Sequence, residues 1–301
     1  MTLITPPFLK KGDRIALVAT ARKISLNELE DGIQLIKSWG LVPVIGKTID
    51  ASDNQYAGTD AERARDFQEM LDNPKIKAIW CARGGYGSVR IIDQLDFYKF
   101  VKYPKWIVGY SDVTVFHSHL HKIGFKTIHG TMPVSVKENT AFAKASLKQA
   151  LFGEKPTITY ETSHPLNRPG VAKGPLVGGN LSMLYSMCGS NSAINTEGKV
   201  LFIEDLDEYL YHVDRMVMNL KRNKMLDNLA GLIVGGMTKM HDNRIPFGKT
   251  AQEIVLDAVG ECTYPVAFDF PAGHVDDNRA LMMGADVTVE VTNKKTTLTY
   301  V

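Results

Sequence analysis

The sequence is poor in cysteine and has no excess of charge of either sign. Its 301 residues include three cysteines, Cys81, Cys188 and Cys262, which are far apart and form no Cys-x-x-Cys spacing. Neither a disulfide framework nor a zinc knuckle is therefore indicated. With 35 Lys and Arg against 33 Asp and Glu, the net charge is +2, which provides no strong field for attracting nucleic acid or anionic lipid. We expect no nucleic-acid or membrane partner.

Long apolar runs are also missing. No segment approaches the roughly 20 apolar residues that a transmembrane helix requires. Pro6 and Pro7 stand where a signal peptide needs an uninterrupted apolar stretch. These features predict a cytoplasmic protein. The composition, 44% hydrophobic and 23% charged, is that of an ordinary folded protein, and its length favours two domains.

Short apolar runs alternate with helix-like segments through the first half of the chain. The capping boxes Ser25-x-x-Glu28 and Thr59-x-x-Glu62 each predict the start of a helix. Pro43 places its strand at a sheet edge. The alternation predicts a doubly wound, mainly parallel sheet of flavodoxin or Rossmann type over residues 1–155. The strands are expected at residues 15–19, 41–45, 76–81, 106–108 and 127–129, with helical stretches around Val89, Ile92 and Leu95 and from Ser111 to about Ile123.

Prolines and glycines accumulate after the last of these helices, which predicts a linker at residues 156–174. Beyond the linker, predicted strands and helices follow one another without the regular alternation of the first half. The period-two pattern of residues 286–291 and 296–301 predicts an antiparallel hairpin. Residues 175–301 are therefore expected to form a smaller, mixed α/β domain. Its other elements are strands at 200–203 and 232–234 and helices at 209–222 and 250–259.

Ser111 lies in the turn Gly109-Tyr110-Ser111-Asp112, between an apolar strand and a helix-like segment. Such a turn resembles a nucleophile elbow, in which the serine lies over a helix N-terminus that favours developing negative charge. The second glycine of the usual Gly-x-Ser-x-Gly is replaced by Val113. A serine that only caps the helix is the alternative interpretation.

A serine nucleophile needs a base, usually a histidine oriented by a carboxylate. His274 lies in a loop-like segment after the strand at residues 266–268, and Glu204 directly follows the apolar residues 200–203. Both positions suit these roles. Spacing alone also fits an ordinary loop histidine and an ordinary polar strand end.

The glycine cluster at residues 83–87 has three interpretations. Its backbone N–H groups could hold a phosphate, it could be a plain tight turn, or it could form half of an oxyanion hole beside Ser111. The Gly-x-Gly-x-x-Gly spacing is absent, so a nucleotide fingerprint is weak. The oxyanion interpretation requires only that the two strands be neighbours.

The histidines at positions 117, 119 and 121 suggest a metal site, but only His117 and His121 share a helix face. Without a third ligand, we predict no metal and no cofactor. Asp276 and Asp277 follow His274 and could ligate a cation. We expect them instead to solvate and cap their loop.

Together, these motifs resemble those of the serine LD-carboxypeptidases, the murein tetrapeptide carboxypeptidases, and their relatives that inactivate microcin C. The resemblance is carried by Tyr56-Ala57-Gly58-Thr59-Asp60, Glu62-Arg63, Arg83-Gly84-Gly85-Tyr86-Gly87, Pro104-Lys105, Gly109-Tyr110-Ser111-Asp112, Gly178-Gly179-Asn180-Leu181, Leu201-Phe202-Ile203-Glu204-Asp205, Asp214-Arg215 and Gly273-His274. So many motifs in the family's order, over most of the chain, make the resemblance specific. The loop Ala19-Thr20-Ala21-Arg22 departs from the Pro-Ser-Ser common in the family.

The resemblance implies a triad of Ser111, Glu204 and His274 in a cleft between the domains. It also implies an oxyanion hole formed by backbone N–H groups of Asp112, Gly84 and Gly85. We expect substrate contacts from residues that flank these groups, namely Arg83, Tyr86 and Tyr110.

The activity implied by the resemblance is hydrolysis of the amide between an L-centred diamino acid and the terminal D-Ala of a murein tetrapeptide, in peptidoglycan recycling. The substrate is then a small peptide or muropeptide, and the enzyme a homodimer without a cofactor. Two alternatives remain. One is an amidase that cleaves a peptidyl-nucleotide antibiotic of the microcin C type, and the other is a non-catalytic protein that binds a small ligand.

Overall fold

Two β-sheets organise the computed structural model, which describes residues 3–162 and 164–301. Residues 1, 2 and Ser163, the last within the predicted linker, lie outside the described residues. None of the helices described combines the length and apolar character needed to cross a membrane. The strands are β1 (Arg14–Val18), β2 (Val42–Ile45), β3 (Ile76–Cys81), β4 (Trp106–Gly109), β5 (Thr127–His129), β6 (Ile158–Glu161), β7 (Gly170–Asn180), β8 (Val200–Leu206), β9 (Gly231–Thr238), β10 (Val266–Ala267), β11 (Leu281–Met283), β12 (Asp286–Val291) and β13 (Lys295–Tyr300). The helices are α1 (Glu30–Ser38), α2 (Asp60–Asp72), α3 (Tyr98–Lys102), α4 (Thr114–Lys122), α5 (Ala141–Phe152), α6 (Leu181–Ser186), α7 (Leu210–Arg222) and α8 (Ala251–Ala258).

The first sheet has the order β11-β5-β4-β3-β1-β2 and is parallel except for β11. Strand β4 is buried along its whole length, which explains its uninterrupted apolar sequence. Pro43 lies in β2 at the edge of the sheet, where its missing N–H disrupts no central pairing. The predicted doubly wound, mainly parallel sheet is confirmed.

Of the two predicted capping boxes, one starts its helix directly. Ser25 and Glu28 do bond each other, but a 3-10 turn follows and α1 begins only at Glu30. Thr59 and Glu62 form a reciprocal capping box at the start of α2. The helical stretch expected around Val89 and Leu95 is wrong, because the chain forms only two short 3-10 turns, Ser88–Arg90 and Ile92–Gln94. The backbone N–H of Ser88 bonds the Asp112 side chain, and Leu95 is already extended, so no longer helix develops.

The second sheet is mixed, with the order β10-β9-β8-β7-β12-β13-β6. Strands β12 and β13 form the predicted antiparallel hairpin, with Val289 opposite Leu298. Their residues alternate between buried and less buried positions, as a sheet covered on one face requires. The expected mixed α/β character of the second half is confirmed.

Three strands cross the expected division of the chain, and one of them, β7, begins within the predicted linker and continues into the second half. Strand β6 lies within the predicted linker, residues 156–174, and pairs with β13 of the second sheet. Strand β11 returns to the first sheet, where Leu281 pairs with His129 of β5. Periodicity cannot reveal which sheet a three-residue strand joins. The loop that carries His274 therefore runs from β10 in one sheet to β11 in the other.

His117 fastens α4 to the first sheet. Its Nε2–H donates to the Gly109 carbonyl at 2.9 Å, and its Nδ1 accepts from the Thr127 hydroxyl at 2.8 Å. Burial lowers the pKa of His117 to about 4, so the ring is neutral near pH 7. These bonds fix the end of β4, two residues before Ser111.

Replacing His117 by phenylalanine should lower the free energy of unfolding by about 1–3 kcal/mol, because two buried hydrogen bonds are lost and the Thr127 hydroxyl is left without its partner. Urea unfolding followed by circular dichroism would measure the change. His241→Phe is the matched control, since His241 is half exposed and its solvent-exposed contact with Asp207 is worth at most about 1 kcal/mol. Equal losses in the two variants would contradict the role assigned to His117.

Candidate active site

Ser111 occupies a strained position at the end of β4. Its φ is +63°, a left-handed conformation that is uncommon for residues other than glycine and that concentrates at functional sites. Ser111 is the first residue of a 3-10 turn that leads into α4, and Tyr110 takes the cap position. Helix capping therefore does not account for the serine. The backbone has the sharp strand-to-helix geometry of a nucleophile elbow.

The departure from Gly-x-Ser-x-Gly has a packing explanation. Gly109 has a φ of +155°, and a Cβ there would lie 2.8 Å from Cγ2 of Val113. The valine side chain thus fills the space that the missing Gly109 side chain leaves. The turn needs its first glycine and accommodates valine at the position of the second.

The glycine loop, residues 83–87, lies directly beside Ser111. A Cβ on Gly84 would stand 3.0 Å from the Ser111 Cβ and 3.2 Å from its Oγ. Gly85 has a φ of +109°, and a Cβ there would meet Cδ of Arg22 at 2.2 Å. Of the three interpretations of this loop, the oxyanion hole is the one that requires such adjacency.

Two buried side chains hold the glycine loop, a role that sequence reasoning missed for both. Oδ2 of Asp112 accepts from the Ser88 N–H at 2.7 Å, and Arg63 donates to the carbonyls of Thr20 and Gly87 at 2.7 and 2.9 Å. Burial raises the pKa of Asp112, opposed by its hydrogen bonds from Ser88 and Gly87 and by the charge of Arg63.

A sequence signal for Arg63 was present. The residue lies four positions before Phe67 and seven before Met70, on the apolar face of α2, and is fully buried. An arginine on such a face must find internal acceptors, because an unpaired buried charge is very costly. What the sequence could not supply is the identity of those acceptors.

Glu204 and His274 form a tight pair. The Glu204 carboxylate is fully buried, and its Oε2 accepts from His274 Nδ1 at 2.6 Å and from the His274 backbone N–H at 3.1 Å. The pairing of β8 with β9 shifts register between Ile203 and Asp205, and such a bulge re-aims side chains. A Cβ on Gly273 would lie 2.7 Å from Glu204 Oε2, so glycine permits the approach.

The pair sets the protonation of His274. Burial lowers the pKa of the imidazole, but the charge of Glu204, its hydrogen bond and the charge of Asp205 outweigh burial and raise the pKa above its ordinary value. Because Nδ1–H donates to Glu204, Nε2 of the neutral ring is left as the basic nitrogen. The Tyr110 ring packs edge-on against the imidazole with centroids 4.9 Å apart.

Ser111 and His274 line one cavity of about 500 Å³ between the two halves of the protein. Asp112, Gly84, Gly85, Arg83 and Tyr110 also lie on its walls. Glu204 is behind His274 and does not line the cavity. Within the part of the chain that the structure describes, no hydrogen bond joins Ser111 to His274, and catalytic hydrogen bonds often tighten only when substrate binds.

Tyr86 is the one proposed contact residue that the structure places elsewhere. It does not line the cavity, and its half-exposed ring packs near Tyr56, with centroids 6.3 Å apart. The loop carries its two glycines into the cavity and turns the following tyrosine outward.

Sequence reasoning also missed an acidic wall of the cavity, formed by Asp205, Asp207 and Glu208. Burial and the charge of Glu204 raise the pKa of Asp205 to about 7. Its carboxylate accepts from the Asn180 side chain and from the Ser182 N–H. Two consecutive acids at the end of an apolar strand were the available signal for Asp205.

The remaining candidate ligands lie apart from the cavity. His119 bonds Ser192 at 3.0 Å, while His121 lines a different cavity. Asp277 accepts from the Thr140 hydroxyl and pairs with Arg279. Across residues 3–162 and 164–301, no three His, Cys, Asp or Glu side chains converge as a metal site would require.

The chain matches the LD-carboxypeptidase N-terminal domain over residues 15–130 and the C-terminal domain over residues 173–289. It is 34% identical to a probable murein peptide carboxypeptidase of Bacillus subtilis, over 96% of this chain and 92% of that protein. It is 24% identical to the microcin C7 self-immunity protein MccF of Escherichia coli, over 97% and 94% of the two chains. A crystal structure of muramoyltetrapeptide carboxypeptidase from Oxalobacter formigenes superposes with a TM-score of 0.85 at 27% identity, covering 95% and 98% of the two chains.

The imidazole of His274 should titrate above the ordinary histidine pKa of about 6.5 in the wild-type protein. In Glu204→Gln its pKa should fall, because the stabilising negative charge is lost while burial remains. NMR titration of the histidine ring signals would measure both values. His117, whose pKa is about 4, is the internal control and should stay neutral in both proteins at pH 6–8. Identical His274 titrations would contradict the coupling.

Proposed function

Because this chain belongs to the LD-carboxypeptidase family, we propose that it is a serine carboxypeptidase that releases the terminal D-Ala from murein tetrapeptides. The scissile amide joins that D-Ala to an L-centred diamino acid. The observation that carries the proposal is the cavity shared by the Ser111 turn, the glycine loop and His274, with Glu204 hydrogen-bonded to His274 behind it. The names of the Bacillus and Oxalobacter proteins support murein peptides as the substrate class.

In the proposed mechanism, Nε2 of His274 takes the Ser111 proton as Oγ attacks the scissile carbonyl carbon. The carbonyl π electrons move onto oxygen, and Glu204 stabilises the imidazolium that forms. The imidazolium then gives its proton to the D-Ala nitrogen as the C–N bond breaks. Water, deprotonated by the same histidine, hydrolyses the acyl-enzyme and regenerates the Ser111 hydroxyl.

Stabilisation of the tetrahedral oxyanion is assigned to backbone N–H groups of Asp112 and of Gly84 and Gly85. Asp112 is in the first turn after Ser111, and Gly84 is so close to the serine that an added Cβ would lie 3.0 Å from the Ser111 Cβ. Preorganised donors of this kind typically contribute a factor of about 10²–10³ each to turnover. Arg63 and the Asp112 carboxylate are positioning residues here, since they act by holding the loop.

A second candidate is an amidase that cleaves a peptidyl-nucleotide, supported by the similarity to the microcin C7 self-immunity protein over nearly the whole chain. The same serine chemistry would serve both reactions. The substrate, not the mechanism, separates the two candidates.

Incubation of a purified murein tetrapeptide with wild-type protein should give the tripeptide and free D-Ala, detected by mass spectrometry. Ser111→Ala should lower turnover by up to about 10⁶, because the nucleophile is lost. Ser118→Ala is the matched control and should retain activity, because Ser118 is a buried residue of α4 that does not line the cavity.

Hydrolysis by the Ser111→Ala protein would overturn the serine mechanism. If wild-type protein leaves the tetrapeptide unchanged but cleaves a peptidyl-nucleotide, the second candidate replaces the first. We place the activity in cytoplasmic peptidoglycan recycling, and a strain that lacks the protein should then accumulate tetrapeptides in its cytoplasmic fraction. A fraction without such accumulation would contradict this cellular role.

A further inference from the structure

The two walls of the active-site cavity carry opposite charges. The wall from the first half of the chain bears Arg22 and Arg83, and the facing wall bears Asp205, Asp207 and Glu208. Ser111 and His274 lie in the same cavity. The proposed mechanism gives none of these five side chains a direct step, although the charge of Asp205 raises the pKa of His274, so their arrangement calls for a separate explanation.

Arg22 is the guanidinium available to a ligand. Arg83 is already engaged, since its Nη1 lies 3.5 Å from a Glu28 carboxylate oxygen and 3.4 Å from the Lys23 carbonyl. The Arg22 side chain is exposed and, among the residues described, has no hydrogen-bond or ion-pair partner. A charged group without a protein partner on the wall of a cavity can bind an anion without first losing an internal contact.

The backbone around Arg22 holds the side chain next to the glycine loop. The Arg22 N–H donates to the Gly84 carbonyl at 3.4 Å, and Arg22 forms an antiparallel bridge with Tyr56. The aliphatic part of the side chain covers Gly85, where a Cβ would lie 2.2 Å from Cδ and 2.4 Å from Cγ. Arg22 is thus anchored over the residues that face Ser111.

The position of Arg22 agrees with where the terminal carboxylate of a carboxypeptidase substrate must lie. The terminal carboxylate is one residue beyond the scissile carbonyl, and successive residues are about 3.8 Å apart. A receptor for that carboxylate must therefore adjoin the oxyanion hole, as Arg22 does. The acidic wall supports this assignment, because the carboxylates of Asp207 and Glu208 would repel the terminal carboxylate of a substrate bound in the reverse direction.

We propose that Arg22 is a specificity-determining residue that binds the free terminal carboxylate of the substrate and so restricts cleavage to the last peptide bond. This inference rests on the proposed carboxypeptidase function. Arginine suits the role because its planar guanidinium forms two parallel hydrogen bonds to a carboxylate. Arg22 ends the segment Ala19-Thr20-Ala21-Arg22, which departs from the Pro-Ser-Ser common in the family.

The test compares a tetrapeptide that ends in a free carboxylate with the same peptide ending in a carboxamide. Wild-type protein should prefer the free acid by about 10-fold or more in kcat/KM, the range expected for hydrogen bonds to a charged group. Arg22→Gln should lose that preference by cleaving the acid more slowly and the amide at the wild-type rate. Arg22→Lys should keep part of it, because lysine retains the charge but not the paired geometry.

Arg14→Gln is the matched control. Arg14 is an exposed arginine at the start of β1, whereas Arg22 lies in the loop after the other end of the same strand. This control should keep the wild-type preference. An unchanged acid-to-amide ratio in Arg22→Gln, or an equal loss on both peptides, would overturn the proposal.

Binding to the Ser111→Ala protein, measured by calorimetry, separates this inference from the proposed function. Tighter binding of the acid than of the amide, lost on adding Arg22→Gln, supports the carboxylate contact even if wild-type protein cleaves neither peptide. Equal affinities for the two peptides, or no binding of either, would overturn the contact even if wild-type protein is an active carboxypeptidase.

Discussion

The buried hydrogen bond between Glu204 and His274 is the interaction on which the rest of the site depends. A carboxylate with no solvent exposure is costly unless it is paired and hydrogen-bonded. Here one oxygen receives both the imidazole N–H and the backbone N–H of His274, across 70 positions of sequence. The bulge at Glu204 and the absence of a side chain at Gly273 both allow the Glu204 carboxylate to lie this close to His274.

The other half of the site is built around a second buried charge. Arg63 reaches from α2 to the loop after β1 and to the glycine loop, and the Asp112 carboxylate holds the glycine loop from the side of the serine turn. Neither group needs to contact the substrate in order to affect catalysis. Together they fix the distance between the backbone of Gly84 and the Ser111 side chain, which is the dimension that an oxyanion hole depends on.

Short sequence patterns predicted much of this structure. The features that depend on contacts between distant residues could not be predicted from such patterns. The apolar run of β4, the Thr59–Glu62 capping box and the hairpin alternation each report a neighbourhood of a few residues, and the structure agrees with them. The strand-to-helix turn at Ser111 could also be predicted, because a strand, a short turn and a helix follow one another directly in the sequence. The sheet that β11 joins, and the Thr20 and Gly87 carbonyls that Arg63 bonds, depend on partners more than 20 residues away, which no periodicity encodes.

The return of β11 to the first sheet makes the two halves topologically interdependent. Strand β11 covers β5, which would otherwise present an unpaired edge, and unpaired edges are prone to association with other chains. The segment between β10 and β11 is therefore tied at both ends, once in each sheet. A hinge opening between the halves would move apart the two strands that anchor the loop of His274, so the fold links such a motion to the position of the base.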